Sequence, residues 1–184
     1  MDLTGKLLIA MPGMGDPRFE KSVIFVCAHS DEGAMGLIIN RPASDIRFAD
    51  LLDQLSIQLQ TKEPLPDVHF GGPVEHGRGF VLHSGEYGEN PATLKVNDCF
   101  GMTATLDVLE DIAQGRGPDV SLLALGYAGW GPGQIEGELC ENAWLVGDAD
   151  EAIVFSHDHA RQWSAALSAM GIDPMLLSGA AGRA

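Results

Sequence analysis

The sequence predicts an α+β fold in which a mixed, strongly curved and largely antiparallel sheet carries helices packed on its outside. Short apolar segments follow one another through most of the 184 residues, which is typical of antiparallel strands. A few other segments repeat their apolar residues at helical spacing. Because the regular β-α-β alternation of a doubly wound sheet is missing, a purely parallel sheet is not expected.

The first forty residues predict three strands. Residues 6–11 form an apolar strand candidate, and the glycines and prolines of 11–17 then interrupt regular structure. Residues 23–28 and 36–40 are continuously apolar rather than alternating, so both faces of these strands are expected to be buried. They are joined by 29–33, and this hairpin is expected at the centre of the sheet.

Four segments predict helices, of which one, at 133–140, is short. The apolar stripes of the other three are Phe48, Leu51, Leu52 and Leu55, then Leu106, Leu109, Ile112 and Ala113, and finally Trp163, Ala166, Leu167 and Met170. The expected caps of these three helices are Ser44 or Asp45, Thr105, and Asp158. Each stripe should pack on the sheet.

The rest of the chain predicts further short strands. They are residues 68–70, 79–83, 93–96, 121–127, 143–146 and 153–155. Strand follows strand through the middle of the chain with glycine-rich turns between, which favours antiparallel pairing.

Length and composition indicate a single domain over residues 1–184. Apolar residues make up 45% of the chain and charged residues 20%, as in ordinary globular proteins. A chain of this size buries enough surface to fold without a disulfide or a metal. No cofactor is expected.

The charge balance disfavours polyanionic partners. Asp and Glu number 26 against 11 Lys and Arg, for a formal net charge of -15, and the basic residues are scattered singly. Nonspecific nucleic-acid binding depends on cationic contacts to phosphate, and anionic membrane surfaces attract basic segments. Direct binding of nucleic acid or membrane is therefore not expected.

The sequence indicates a cytoplasmic protein. Its start does not resemble a signal peptide, and its apolar runs are far shorter than the roughly 20 residues that span a bilayer. The three cysteines, Cys27, Cys99 and Cys140, are widely spaced and odd in number. That pattern fits a reducing compartment.

The usual local signatures of catalysis are missing from the sequence. It contains no phosphate loop, no dinucleotide fingerprint, no H-E-x-x-H zinc motif and no G-x-S-x-G elbow. The pair His157 and His159 could offer two ligands to a metal, but two histidines without a third ligand nearby favour a polar helix entry instead. Catalytic residues stay unknown, no metal site is predicted, and a non-enzymatic role is favoured.

Asn40 and Arg41 end a buried strand and form the first candidate binding site. The planar guanidinium of Arg41 could hold a carboxylate or phosphate of a ligand. Alternatively, it ties down its own loop through backbone carbonyls or an internal Asp. The structural interpretation is favoured, but Arg41 remains the best single cationic candidate.

Residues 127–136 form the second candidate, a binding loop for a ligand or a partner. Tyr127 and Trp130 supply apolar area, glycines allow close backbone approach, and Gln134 and Glu136 lie at the start of the next helix. The alternative is a structural corner in which Trp130 covers the core. The sequence does not decide between these interpretations.

Several segments, in order along nearly the whole chain, resemble the YqgE/AlgH family. They are Lys6-Leu7-Leu8-Ile9-Ala10-Met11-Pro12, Asp16-Pro17 with Phe19 and Ser22-Val23-Ile24, Gly33-Ala34 with Gly36-Leu37-Ile38-Ile39-Asn40-Arg41-Pro42, Gly71-Gly72-Pro73-Val74, Gly79-Phe80-Val81-Leu82-His83, Tyr127-Ala128-Gly129-Trp130 with Gly133-Gln134-Ile135-Glu136, and Gly179-Ala180-Ala181-Gly182-Arg183-Ala184. The resemblance implies a mixed sheet folded into a pseudo-barrel with helices around it. It carries over no catalytic residue, since the family is largely uncharacterised.

Three functions compete at this point. The first is a regulatory or adaptor protein that acts through protein contacts, suggested by the missing catalytic signatures and by the aromatic loop. The second is a binding protein or unrecognised enzyme for a small anionic metabolite held by Arg41 and Trp130. The third is a DNA-binding transcriptional regulator, the label that some members of the YqgE/AlgH family carry. The net charge disfavours this function. The oligomeric state is not predicted.

Overall fold

The computed structural model of the protein describes residues 1–88 and 90–177. The resembling segment from Gly179 to Ala184 lies outside these residues. The strands are β1 (Lys6–Ala10), β2 (Val23–Ser30), β3 (Gly33–Ile38), β4 (Asp67–Phe70), β5 (Val74–Ser84), β6 (Thr93–Lys95), β7 (Phe100–Thr103), β8 (Ser121–Trp130) and β9 (Trp144–Asp148). The helices are α1 (Phe48–Gln54), α2 (Leu106–Ala113), α3 (Gln134–Cys140), α4 (Glu151–Val154) and α5 (His159–Ala169).

The described strands form one nine-stranded sheet that curls into a half-barrel. Its order is β6-β7-β5-β8-β3-β2-β1-β9, and β4 pairs with β8 outside this path. Every pairing is antiparallel except that of β4 with β8, which is parallel. The expected mixed, largely antiparallel α+β fold is confirmed, with the β2–β3 hairpin inside the sheet.

Two strand predictions need correction. Residues 153–155 were expected as a strand, but they belong to α4 and its C-terminal cap, because the Asp150 side chain accepts a hydrogen bond from the Ala152 amide and starts a helix there. Strand β7 was not expected from the sequence. The Asn97 side chain accepts hydrogen bonds from the amides of Cys99 and Phe100, and this turn directs the short segment back against β6.

The expected helix caps are also only partly correct. The residue before α1 is Arg47, not Ser44 or Asp45, and Asp50 of the first turn accepts from the Arg47 backbone amide. Thr105 and Asp158 do occupy the cap positions of α2 and α5, although neither side chain makes a capping hydrogen bond.

Helices cover both faces of the sheet. Helices α4 and α5 pack on one face, called here the front face, where one continuous core includes Phe25, Phe100 and Leu167. The opposite face, called the back face, carries two separate cores. One contains α3 with Trp130 and Trp144, and the other contains the apolar stripes of α1 and α2.

The pairing of β5 with β8 is irregular at Gly126, and this break in β8, called here the bulge, separates the two cores of the back face. Before it, Leu123 and Leu125 face α1 and α2, whereas after it Trp130 faces α3. On the front face, Leu122 and Ala124 are followed by Tyr127, so the alternation has shifted by one residue. Gly126 has φ of +75°, which glycine adopts without steric cost.

The bulge fits closely against the end of β4. The Gly71 amide donates to Leu125 O and its carbonyl accepts from the Ile38 amide, both at 2.8 Å, so this residue lies between β8 and β3. A Cβ atom on Gly72 would lie 2.1 Å from the carbonyl carbon of Tyr127. The Gly71-Gly72 pair is therefore fixed by close backbone approach rather than by a need for flexibility.

Substituting Gly72 by Ala should destabilise the fold by about 3 kcal/mol or more, because β4 must move away from β8 to relieve the overlap. The free energy of unfolding, measured in urea, tests this. Gly77→Ala is the matched control, since a Cβ there meets no atom within 4 Å, and its effect should stay within about 0.5 kcal/mol. Equal stability of the two variants would contradict the proposed contact.

Candidate functional site

Asn40 and Arg41 hold the chain rather than face a cavity. The Asn40 side chain accepts from the Val23 amide at 2.9 Å and donates to Lys21 O at 2.8 Å. Arg41 Nη2 donates to Glu20 O at 3.3 Å. Both side chains thus tie the residues before β2 to the end of β3, which is the structural interpretation that the sequence favoured.

The loop after β8 is organised by Glu138, a residue that the sequence did not single out. The indole N–H groups of Trp130 and Trp144 donate to Glu138 Oε2 at 3.0 and 2.8 Å. Gln134 accepts from the Gly131 amide at 3.0 Å and donates to Glu138 Oε1 at 3.1 Å. Trp130 and Gln134 therefore position the loop, and both indoles are buried in the α3 core.

Glu136 bonds to a histidine from the opposite hairpin. His29 Nδ1 accepts from the Leu3 amide at 3.2 Å, so the neutral ring carries its proton on Nε2, which lies 2.8 Å from Glu136 Oε1. This hydrogen bond lowers the pKa of Glu136 below its ordinary value. The contact joins β2 to α3.

Tyr127 and Trp130 do reach a cavity, at the end of the front face beside the β2–β3 hairpin. This cavity of about 720 Å³, called here the groove, runs across strands β2, β3, β5, β6, β7 and β8. Met35, Phe80, Met102 and Tyr127 line it and also pack against the front core. The Phe80 and Tyr127 rings meet edge to face at 5.7 Å. The groove is thus an open continuation of the core.

The rim of the groove carries a few charged groups. The Arg78 guanidinium lies over the Phe80 ring, 5.0 Å from its centre, and Nη1 is 3.4 Å from Glu75 Oε2. Glu32 and His29 also line the groove, and His29 bonds to Glu136. Met35, Phe80, Met102 and Tyr127 form the apolar floor of the groove. This floor and the charged rim together suit an amphipathic ligand.

The structure brings only part of the predicted site together. Tyr127 and Trp130 line the groove and Glu136 reaches it through His29, whereas Gln134 lies behind the loop and Asn40 and Arg41 hold a different turn. The sequence missed Met35, Arg78, Phe80 and Met102 because they come from three strands that are distant in the chain. The only local signal was Arg78 two residues before Phe80, a spacing that places both on one side of a strand.

A second polar cluster lies where β4 meets α5. Asp67 Oδ2 is 2.7 Å from His157 Nδ1 and 3.3 Å from His159 Nε2, and His159 Nδ1 is 2.9 Å from Gln162 Oε1. His69 is buried beside His159, and burial together with that neighbour lowers the pKa of His69 to about 4. This cluster joins the α5 entry to the sheet.

Neither a metal-binding group of side chains nor a membrane-spanning helix is found in the part of the chain that the structure describes. Within residues 1–88 and 90–177, no three His, Cys, Asp or Glu side chains are grouped so as to hold a metal ion. Over the same ranges, no helix combines the length and apolar character needed to cross a membrane.

Replacing Glu138 by Ala should lower the free energy of unfolding by about 2 to 4 kcal/mol, because two buried indole N–H groups lose their acceptor. Thermal and urea unfolding would measure the loss, and near-ultraviolet circular dichroism should report the freed tryptophans. Glu141→Ala, on an exposed neighbour, should change stability by less than about 0.5 kcal/mol. A Glu138→Ala protein as stable as the Glu141→Ala protein would refute this role for Glu138.

Comparison with known proteins places the chain in a family. The model of the AlgH-like family, DUF179, matches residues 7–175. A UPF0301 protein of Ruegeria pomeroyi is 58% identical and one of Cereibacter sphaeroides 54% identical, each over all of both chains.

Solved structures agree with this assignment. The solution structure of AlgH from Pseudomonas aeruginosa has a TM-score of 0.78 and 42% identity, covering 100% of this chain and 97% of that one. A Corynebacterium diphtheriae protein at 20% identity shares the fold, with a TM-score of 0.75 over 96% of this chain and 90% of the other. The chain therefore belongs to the AlgH-like family of UPF0301 proteins.

Proposed function

We propose that this protein is a cytoplasmic regulatory or adaptor protein that binds a basic, apolar segment of a partner protein in the groove. The observation that carries the proposal is the apolar floor of the groove, which continues the front core to the surface. An open apolar surface of this kind favours a binding role over catalysis. The absence of catalytic motifs in the sequence supports the same role.

The floor suits side chains of varied shape. Met35 and Met102 are unbranched and polarisable, so they adjust to different apolar partners. Phe80 and Tyr127 supply rigid aromatic area beside them. A volume of about 720 Å³ lies within the usual range for ligand sites and accommodates several side chains.

Charge favours a basic partner. Glu32 lines the groove, and the carboxylates of Asp2, Glu75 and Glu136 contact its lining residues His29 and Arg78. A net charge of -15 attracts basic segments from a distance and raises their association rate. The same charge argues against the family label of a transcriptional regulator in the sense of direct DNA binding.

A small anionic metabolite is the second candidate ligand, and Arg78 rather than Arg41 favours it. Arg78 lies over Phe80 inside the groove, where it could pair with a carboxylate or phosphate. Its existing contact with Glu75 spans 3.4 Å between exposed side chains, which makes the pair weak and open to exchange.

Two synthetic peptides with the same apolar residues but with either Lys or Glu at the remaining positions distinguish the candidates. The Lys peptide should bind about tenfold more tightly, with an affinity that falls as salt rises, because several exposed charge pairs each add up to about 1 kcal/mol. Fluorescence anisotropy at two salt concentrations measures both affinities.

The variant Met35→Asp should abolish binding of the Lys peptide, whereas Leu176→Asp, on a residue 81% exposed and outside the groove, should not. A preference for the Glu peptide would replace the basic partner by an anionic ligand at Arg78. Failure of both peptides to bind would remove the groove as a protein-binding site.

A further inference from the structure

A second cavity lies on the back face, between helices α1 and α2. Its volume is about 310 Å³, and six leucines from α1 with its C-terminal cap, from α2 and from β8 line it: Leu51, Leu55, Leu106, Leu109, Leu123 and Leu125. This leucine cavity is separate from the groove, which lies on the front face. Arg78 and Ala104 line both cavities and form the boundary between them.

Two of these leucines are more exposed than an apolar helix stripe normally leaves them. Leu55 at the end of α1 is 45% exposed and Leu106 at the start of α2 is 55% exposed. They stand on the two helices that flank the leucine cavity. Large apolar side chains grouped around an open cavity indicate a binding site more often than isolated exposed leucines do.

The threonine side chains that line the leucine cavity are already engaged, and Gln54, which also lines it, is exposed to solvent. Thr103 Oγ1 lies 2.9 Å from His83 Nε2 and 2.7 Å from Thr93 Oγ1. Thr105 donates its hydroxyl hydrogen bond to Asp107. A polar ligand would lose its hydrogen bonds to water here and find few partners to replace them, so the six leucines favour a hydrocarbon.

The charged group at the mouth of the leucine cavity is Arg78. Its side chain is half exposed, and its contact with Glu75 Oε2 is long at 3.4 Å. A guanidinium in this state can turn to form a paired hydrogen bond with a carboxylate. A chain that is apolar along its length and acidic at one end matches this combination.

We propose that the leucine cavity binds a medium-chain alkyl carboxylate, with its hydrocarbon between α1 and α2 and its carboxylate on Arg78. This site does not depend on the function proposed for the groove. The volume of about 310 Å³ sits at the lower end of the usual range for ligand sites, which selects a short chain over a long one.

Isothermal titration of the full chain with hexanoate, octanoate, decanoate and dodecanoate, each below its micelle-forming concentration, tests the proposal. Affinity should rise about fourfold for each added methylene until the cavity is full, and then stop rising. Absence of saturable binding at every length, or affinity independent of length, overturns it.

Variants then locate the site. Arg78→Gln should weaken decanoate binding about tenfold while leaving the matching alcohol, decanol, unchanged. Leu106→Glu should abolish binding of both ligands, whereas Leu176→Glu should change neither. If Leu106→Glu lowers the thermal midpoint of unfolding, Leu55→Glu takes its place. The site is contradicted if wild type and Arg78→Gln bind decanoate equally, or if wild type and the cavity variant (Leu106→Glu or Leu55→Glu) bind both ligands equally.

Discussion

The close approach between the Gly71-Gly72 pair and the bulge of β8 is the constraint on which the rest of the structure depends. Strand β8 pairs with β3, β4 and β5, so it connects the two halves of the sheet. At Gly126 the pairing of β8 with β5 is irregular, and the outward side chains of β8 pass from the α1 and α2 core to the α3 core. Backbone contact at this point leaves no room for any side chain beyond hydrogen.

The bulge also sets the geometry of the candidate site. Because the alternation shifts there, Tyr127 faces the front and lines the groove, while Trp130, which also borders the groove, turns its indole to the back and bonds to Glu138. The residues that the sequence grouped as one candidate loop therefore have two roles. Some line the groove, and others hold the loop in place. The groove and the leucine cavity lie on opposite faces and meet only around Arg78 and Ala104.

The sequence predicted much of the fold but little of the site. Continuous apolar runs such as 23–28 correctly indicated strands buried on both faces, since β2 lies between β1 and β3 with cores on each side. It misjudged 153–155 because an apolar triplet fits either a strand or a short helix, and the Asp150 cap decides. The groove could not be found because Met35, Phe80 and Met102 are distant in the chain, and only sheet curvature brings them together.

The central claim, that partners bind over the apolar floor of the groove, can be tested directly with methionine methyl resonances. The chain has seven methionines, of which Met35 and Met102 line the groove. On titration with the Lys peptide in methyl-labelled protein, the account predicts that these two resonances shift and saturate together, while those of Met11, Met14, Met170 and Met175 stay in place. Shifts confined to the latter group, with Met35 and Met102 unchanged, would contradict it.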